Sequence, residues 1–143
     1  MKIIVNLICQ NSEPQLPAYL ESLKGRIDGI VAVDGGSTDH TVEVLETWGR
    51  ENNVSVRVKS SPWPDDFARQ RNVALNVTRV EYGAASPEND IWILVIDDDD
   101  TLSEFDRPTL EEMLAKNPEV CGLLCRMDNG NGFFNCCNDV HTC

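Results

Sequence analysis

The sequence predicts an α/β domain in which helices flank a mostly parallel sheet. Short apolar runs alternate almost strictly with amphipathic stretches along the 143 residues, a pattern typical of βαβ units. The most apolar run, Ile91–Ile96, has no polar face, as expected of a strand that is covered on both sides. A chain of this length is sufficient for one compact domain with its own hydrophobic core.

Five short runs are predicted as strands because they are apolar and rich in β-branched residues. The third alternates with period two, so we expect it to have one wetter face. The fourth is the most apolar, and we expect it at the centre of the sheet. In chain order the runs are Lys2–Ile8, Ile30–Val33, Val54–Val58, Ile91–Ile96 and Val120–Met127.

Four helices are predicted between the strands from helical spacing of apolar residues and from signals at their ends. The first is expected to end at Gly25 and the second near Gly49, and residues 37–39 offer side-chain caps for the second. Residues 78–90 are expected to form a loop. In chain order the helical segments are Leu16–Leu23 after Pro14, the segment with Val42, Leu45 and Trp48, Phe67–Val77, and Leu110–Lys116.

The charge balance excludes two classes of partner. Twelve Lys and Arg stand against 24 Asp and Glu, which gives a formal net charge of −12. Nucleic acid and anionic lipid both require a basic surface, so neither is expected as a partner. No apolar run approaches the roughly 20 residues of a membrane span. The N-terminus lacks a signal-peptide core, so we expect a cytoplasmic protein with reduced cysteines.

The end of the chain is rich in cysteine. We expect the main domain over residues 1–127 and an irregular, Cys-rich segment over residues 128–143. A tetrahedral zinc site is one hypothesis, although no paired C-x2-C spacing is present. The alternative is that Cys121 and Cys125 are small buried residues on one face of a strand. The candidate zinc ligands are Cys121, Cys125, Cys136, Cys137, His141 and Cys143.

Polar segments follow three of the predicted strands. They are Asn6–Asn11, Asp34–Asp39 and Asp97–Asp100, and we expect them together at the C-terminal edge of the sheet, where ligands bind in such folds. The four carboxylates of Asp97–Asp100, the acidic run, repel one another unless a divalent cation such as Mg²⁺ or Mn²⁺ is bound. The alternative is a solvated acidic turn.

Asp34 and Arg71 are the other candidates for ligand contacts. Asp34 follows a buried strand and can accept hydrogen bonds from a base or a ribose; the alternative is a turn-and-cap role for its carboxylate. Arg71 lies in a predicted helix and can face a phosphate or a base. The alternative for Arg71 is a surface salt bridge with Asp66 or Glu81.

Three segments together resemble the family 2 glycosyltransferases, which have the GT-A fold. Val33–Thr41 is similar to the nucleotide-binding turn of that family. Pro62–Leu75 is similar to its tryptophan, acidic pair and Arg-Asn helix, and Trp92–Asp100 to its Asp-x-Asp strand end. The resemblance covers about residues 1–105 and implies a GT-A-like (Rossmann-like) fold.

The resemblance also implies roles for individual residues. Asp34 would bind uracil or another base, and Arg71 would help to hold the nucleotide. Asp97 would contact ribose or metal-bound phosphate, and Asp99 would ligate Mn²⁺ or Mg²⁺. His141 matches a late Val-His-Glu segment of some relatives in part, and would ligate the metal or line the acceptor pocket.

We therefore expect metal-dependent transfer of a sugar from a nucleoside-diphosphate sugar, a UDP-sugar first of all, to an unknown acceptor. The sequence departs from the family where Asn11-Ser12 stands in place of Asn-Glu. No general base is assigned, because the acceptor half of the family lies beyond residue 105, and we expect a truncated or unusually compact member. The alternatives are a non-catalytic nucleotide-sugar-binding domain and a nucleotidyl- or phosphoryl-transfer enzyme.

Overall fold

The computed structural model describes residues 1–86 and 88–123, and the pairs 127–128, 133–134 and 141–142. Side chains are described up to Val120, except for Pro87, and again at Leu123. The chain forms two compact units, Met1–Phe105 and Asp106–Cys143. The predicted division into a main domain over residues 1–127 and an irregular segment over residues 128–143 stays a prediction.

The first unit contains a four-stranded parallel sheet with helices in the connections, which confirms the predicted α/β class. The strand order is β3-β2-β1-β4, and every pair of neighbours is parallel. The elements in chain order are β1 (Lys2–Cys9), α1 (Leu16–Leu23), β2 (Gly29–Asp34), α2 (Thr41–Asn52), β3 (Ser55–Ser60), α3 (Phe67–Tyr82) and β4 (Ile91–Val95).

The core of this unit lies on both faces of β1 and β2. All six residues of β2 are buried, and seven of the eight in β1. Helix α1 adds four buried side chains at helical spacing, Leu16, Tyr19, Leu20 and Leu23, each of which stabilises the fold by about 1.5–3 kcal/mol through burial. Cys9 is a free thiol in this core, and burial raises its pKa to about 12, so it stays protonated.

The predicted position of the most apolar strand is wrong. Strand β4 pairs with β1 on one side and lies at the edge of the sheet among the described residues. Ile93 and Val95 are 42% and 52% exposed. The two-sided burial belongs instead to β1, which has β2 and β4 as neighbours. Apolar composition identifies a strand, but it does not specify the strand's neighbours.

Two helices extend beyond their predicted ends. Helix α2 passes Gly49, because a Cβ there would lie 2.5 Å from Cγ2 of Val56, and the missing side chain allows the helix to pack closely on β3. It ends at Asn53, which has a left-handed φ of 55°. Helix α3 continues through Thr78, which is buried and whose hydroxyl donates to the Ala74 carbonyl at 2.9 Å.

The second unit begins with helix α4. This helix, Arg107–Lys116, is capped by Asp106, whose carboxylate accepts the Thr109 amide at 3.1 Å. Short strands follow in two antiparallel pairs, β5 with β8 and β6 with β7. Their bounds are Val120–Gly122 (β5), Met127–Asp128 (β6), Phe133–Phe134 (β7) and His141–Thr142 (β8).

The single strand predicted over Val120–Met127 is therefore wrong in extent, because β5 ends at Gly122. The zinc hypothesis depends on Cys125, Cys136, Cys137 and Cys143, which lie outside the described residues, and on side chains of Cys121 and His141 that are not described. Among the described helices, none has the length and apolar character needed to cross a membrane. The predicted cytoplasmic location stays a prediction.

Candidate functional site

Three polar segments meet at the C-terminal edge of the sheet, two of them as predicted; the third, predicted as Asn6–Asn11, lies further along the chain because β1 extends to Cys9. They are the β1–α1 loop (residues 10–15), the β2–α2 loop (residues 35–40) with Asp34 before it, and the acidic run after β4. Parallel strands end at the same edge, so the register of β1 with β2 and β4 places these segments side by side. Hydrogen bonds between the loops then fix their relative positions.

The carboxylate of Asp34 organises the turn that follows β2. It accepts the amides of Gly36 and Ser37, each at 3.1 Å, and the hydroxyl of Ser37. Gly36 has a φ of +106°, which strongly favours glycine. Asp34 is 5% exposed. The turn role given above as the alternative is thus present, and the contact of Asp34 with a base stays a prediction.

Arg71 of α3 is bound to two strands. Its guanidinium donates to Asp97 at 2.8 Å and to the carbonyl and side-chain oxygens of Asn6 at 2.7 and 3.2 Å. Asn6 is fully buried in β1 and donates in turn to the Thr78 hydroxyl at 2.9 Å. This buried polar chain directs Arg71 toward the acidic run, and its contact with a phosphate or a base stays a prediction.

The alternative salt bridge of Arg71 with Asp66 or Glu81 is wrong. Asp66 caps α3 and accepts the Arg69 amide at 3.0 Å, while Glu81 pairs with Arg57 at 3.1 Å. The side chain of Arg71 is 21% exposed. One edge of its planar guanidinium is therefore fixed by Asn6, and the group is held at the end of β4 and not on the helix surface.

The acidic run forms a tight turn. The Asp100 amide donates to the Asp97 carbonyl at 3.1 Å. The Asp98 carboxylate accepts the Ser12 hydroxyl and the Gln15 side-chain amide, the latter at 3.3 Å. Asp97 and Asp98 are thus held from opposite directions, by Arg71 and by the β1–α1 loop.

Asp99 and Asp100 have no hydrogen-bond partner for their carboxylates within the described part of the chain. Partial burial raises the pKa of Asp100 above its ordinary value, and the neighbouring carboxylates raise it further, Asp99 first. Asp99 is exposed. Carboxylate oxygens at a solvent-facing turn, with their charge uncompensated, are the donor set that Mg²⁺ and Mn²⁺ prefer.

No three His, Cys, Asp or Glu side chains converge as a metal site by themselves in the part of the chain that the structure describes. Mg²⁺ is commonly held by one or two protein carboxylates together with substrate phosphates and water. Asp99, with Asp97 beside it, fits that pattern. The side chain of His141, the third predicted ligand, lies outside the described residues.

The loops at this edge are also joined to one another. Asn11 accepts the Thr38 amide at 2.8 Å and its own amide donates to the Ser37 hydroxyl at 2.9 Å. Glu13 accepts the amide of His40 at 2.9 Å and contacts its imidazole at 3.1 Å. This contact raises the pKa of His40 and lowers that of Glu13.

Sequence reasoning assigned no role to Asn6, Ser12 or Gln15. The signal available for Asn6 was an amide in the middle of an otherwise apolar strand, where a buried polar group requires partners. Ser12 and Gln15 carried no such signal, because their partner Asp98 is more than 80 residues away in the chain.

The comparisons with known proteins agree with this geometry. The family model described as glycosyl transferase family 2 matches residues 4–135. The chain belongs to this family. The match extends over the three polar segments of the site and into the second unit.

Several curated proteins contain a segment similar to this chain. The chain is 30% identical over 96 residues to a TPR repeat-containing protein of Synechococcus elongatus, covering 67% of this chain and 20% of that protein. It is 28% identical over 116 residues to an uncharacterized glycosyltransferase of Rickettsia typhi, and the match covers 81% of this chain and 34% of that protein. It is 28% identical over 102 residues to the SPbeta prophage-derived glycosyltransferase SunS of Bacillus subtilis, covering 71% and 21%.

Solved structures give the same result. Residues 1–349 of S. aureus TarS superpose with a TM-score of 0.64 at 27% identity, covering 92% of this chain and 37% of that one. The complex of the same TarS fragment with UDP superposes with a TM-score of 0.64 at 28% identity, and the match covers 92% of this chain and 38% of that one. These matches confirm the predicted GT-A-like fold. The chain spans about a fifth to two fifths of the length of these relatives.

Proposed function

We propose that this family 2 chain binds a nucleoside-diphosphate sugar, specifically a UDP-sugar, together with Mn²⁺ or Mg²⁺, and that it is the donor-binding part of a glycosyltransferase. The observation that carries the proposal is the hydrogen bond between Arg71 and Asp97. This pair and the Asp34 turn lie at the same edge of the sheet, where ligands bind in this architecture. The TarS complex with UDP supports uridine as the nucleoside.

The electrostatics of the site support a metal-dependent ligand. A diphosphate carries several negative charges, and it would face four carboxylates of which one is paired with Arg71. Repulsion at these short distances opposes binding unless a cation intervenes. A divalent ion bound at Asp99, with Asp97 beside it, removes that repulsion and adds direct phosphate contacts.

Each residue then has a distinct part in holding the donor. Asp34 and the turn that it organises would hold the base, Arg71 would keep Asp97 in place beside ribose and phosphate, and Asp99 would face the metal. A bound divalent ion supplies Lewis-acid stabilisation of the departing diphosphate. The acceptor, the general base and the stereochemical course are not assigned to residues.

Calorimetric titration with two ligands tests the proposal. With a chelator present, we expect UDP to bind more weakly than uridine, because its phosphates meet the acidic run. With Mn²⁺ present, we expect the order to reverse, with UDP gaining roughly tenfold or more from charge-assisted contacts. Equal affinities of UDP with chelator and with Mn²⁺ would overturn the proposed metal-dependent function.

A non-catalytic nucleotide-sugar-binding domain is the second candidate. The side chains named above are all proposed to hold the donor, and none is assigned to an acceptor. Both candidates bind the donor in the same way. They differ in whether sugar is transferred to an acceptor, and release of UDP from UDP-sugars distinguishes them.

A further inference from the structure

Ser12 is a buried residue at the point where three polar segments meet. It lies in the β1–α1 loop and is 0% exposed. Its amide donates to the hydroxyl of Thr41, at the start of α2, at 2.7 Å. Its own hydroxyl donates to the Asp98 carboxylate. One residue thus connects the start of α2, directly after the β2–α2 loop, with the acidic run after β4.

The hydroxyl of Ser12 both donates and accepts a hydrogen bond within the protein. A serine hydroxyl has one proton to donate, and Asp98 accepts it. Its oxygen also accepts the Gln10 amide at 3.2 Å. Because the residue is buried as well, a bound nucleotide cannot reach this hydroxyl. Any influence of Ser12 on ligand binding must therefore pass through the groups that it holds.

Asp98 is held at the centre of the acidic turn. Gln15 donates to the same carboxylate oxygen as Ser12, at 3.3 Å. The residue before it, Asp97, is fixed by Arg71, and the turn is closed by the Asp100 amide. These anchors hold Asp97 and Asp98, the two residues that precede Asp99 in the turn. Loss of the Ser12 anchor would leave Asp98 with Gln15 alone, beside three other carboxylates.

We propose that Ser12 is a positioning residue, which holds Asp98 so that the acidic run presents Asp99 in the conformation that binds the divalent cation of the donor complex. The inference rests on the proposed function for its consequence in ligand binding. The structural part of it, that Ser12 links the region around the start of α2 to the acidic run, is independent of any ligand.

Hydrogen exchange of the protein without metal or nucleotide tests the structural part. In Ser12→Ala, amide exchange should become faster at residues 97–100, which lose the Ser12 hydroxyl, and should change little around Thr41, because the backbone amide that donates to Thr41 remains. Ser22→Ala is the matched control. The Ser22 hydroxyl also connects α1 to a distant segment, accepting the Leu102 amide at 3.0 Å, but it does not contact the acidic run. Its exchange effect should be confined to the neighbourhood of Leu102.

Calorimetry tests the functional part. In Ser12→Ala, the tightening of UDP binding by Mn²⁺ should fall roughly tenfold, as expected for the loss of a hydrogen bond to a charged group. Uridine affinity should change less than about twofold, because one lost contact at Asp98 is distant from the base. Gln15→Ala, which removes the weaker partner of Asp98, should give a smaller loss of the same kind.

A double variant separates positioning from general destabilisation. In an Asp99→Asn background, Ser12→Ala should have no further effect on the metal-dependent part of UDP binding, because both changes act on one group. If Ser12→Ala and Ser22→Ala weaken uridine and Mn²⁺–UDP equally, Ser12 is only structural and the inference is wrong.

If wild-type protein binds UDP with Mn²⁺ and Ser12→Ala does so equally well, the inference fails while the proposed function stands. If wild-type protein shows no metal-dependent UDP binding, both the proposed function and the functional part of the inference fail, and the exchange result then decides the structural part alone.

Discussion

At the scale of single residues, the site depends on a few polar side chains whose partners lie far away in the sequence. Asn6 and Arg71 form the clearest case. Asn6, which is buried in β1, accepts two hydrogen bonds from the Arg71 guanidinium, one at its backbone carbonyl and one at its side-chain oxygen. These two bonds fix one side of the planar group. The opposite edge is then free to pair with Asp97 at 2.8 Å. Only arginine has the geometry to make both contacts at once.

This geometry predicts that Arg71→Lys is not a conservative substitution. Lysine has one nitrogen in place of the two that bond Asn6 and Asp97, and cannot reproduce the planar geometry of these contacts, so we expect a loss of about 1–3 kcal/mol in the free energy of unfolding. Arg57→Lys is the control, because the Arg57–Glu81 pair is largely exposed and should contribute less than about 1 kcal/mol. Urea denaturation of both variants measures the difference. Equal losses would mean that the Asn6 contacts have no energetic weight.

A second prediction concerns Asp99. Its carboxylate is exposed and lacks a partner among the described side chains, so Asp99→Asn should leave the melting temperature unchanged or raise it, through reduced repulsion. Calorimetry of the same variant should show that Mn²⁺ no longer tightens UDP binding. Glu104→Gln removes an equal charge from an exposed position outside the run and should preserve the metal effect. If both variants retain it, Asp99 is not a metal ligand.

At the scale of elements, strands and motifs follow from local sequence, whereas strand order does not. The apolar runs predicted β1 and β2 closely, because burial on both faces leaves no alternation in the sequence, and the apolar run of β4 also identified a strand. The same logic misplaced β4 at the centre, since position in a sheet depends on non-local pairing. Motif positions were predictable for the same local reason, but the contact of Ser12 with Asp98 was not, as it closes a separation of 86 residues.

Gly49 illustrates how packing overrides a local signal. A glycine near the end of an amphipathic segment predicts a helix end, yet α2 continues because this glycine lies against β3. Gly49→Ala should therefore destabilise the fold by about 1–3 kcal/mol through overpacking, although alanine is the better helix former by about 1 kcal/mol. Adding Val56→Ala removes the contacting methyl group, and the double variant should recover part of the loss. A stabilising Gly49→Ala would show that β3 moves away freely.

The contact between the β1–α1 and β2–α2 loops should depend on pH. The Glu13 carboxylate raises the pKa of His40 above its ordinary value. A raised folded-state pKa means that this contribution to stability is complete below the ordinary histidine pKa and is lost as pH rises through the raised value. Glu13→Gln should return the pKa of His40 toward the ordinary value, measured by NMR titration in a His141→Gln background that leaves one histidine. An unchanged titration would exclude the ion pair in solution.

At the scale of the whole molecule, all the residues proposed to bind the donor, His141 apart, lie in the first unit, between Met1 and Phe105. Asn6 holds Arg71 and Ser12 holds Asp98 in this unit, so the four proposed donor-binding residues Asp34, Arg71, Asp97 and Asp99 all lie within one compact unit. Binding of the donor and transfer of its sugar are therefore separable properties. As proposed, donor binding involves the first unit, whereas transfer would also require an acceptor held against the sugar carbon.

We therefore predict that the 143-residue protein binds UDP and Mn²⁺ but transfers sugar slowly or not at all. Orientation of an acceptor accounts for a large part of the rate of a two-substrate reaction, and only contacts that strengthen in the transition state accelerate it. None of the described side chains is assigned to holding an acceptor. Release of UDP from UDP-sugars, followed with and without added acceptors, should show at most slow hydrolysis, while calorimetry on the same sample shows metal-dependent binding. Efficient transfer to a defined acceptor, abolished by Asp97→Ala, would show instead that this chain holds an acceptor as well as a donor, and would exclude the non-catalytic alternative.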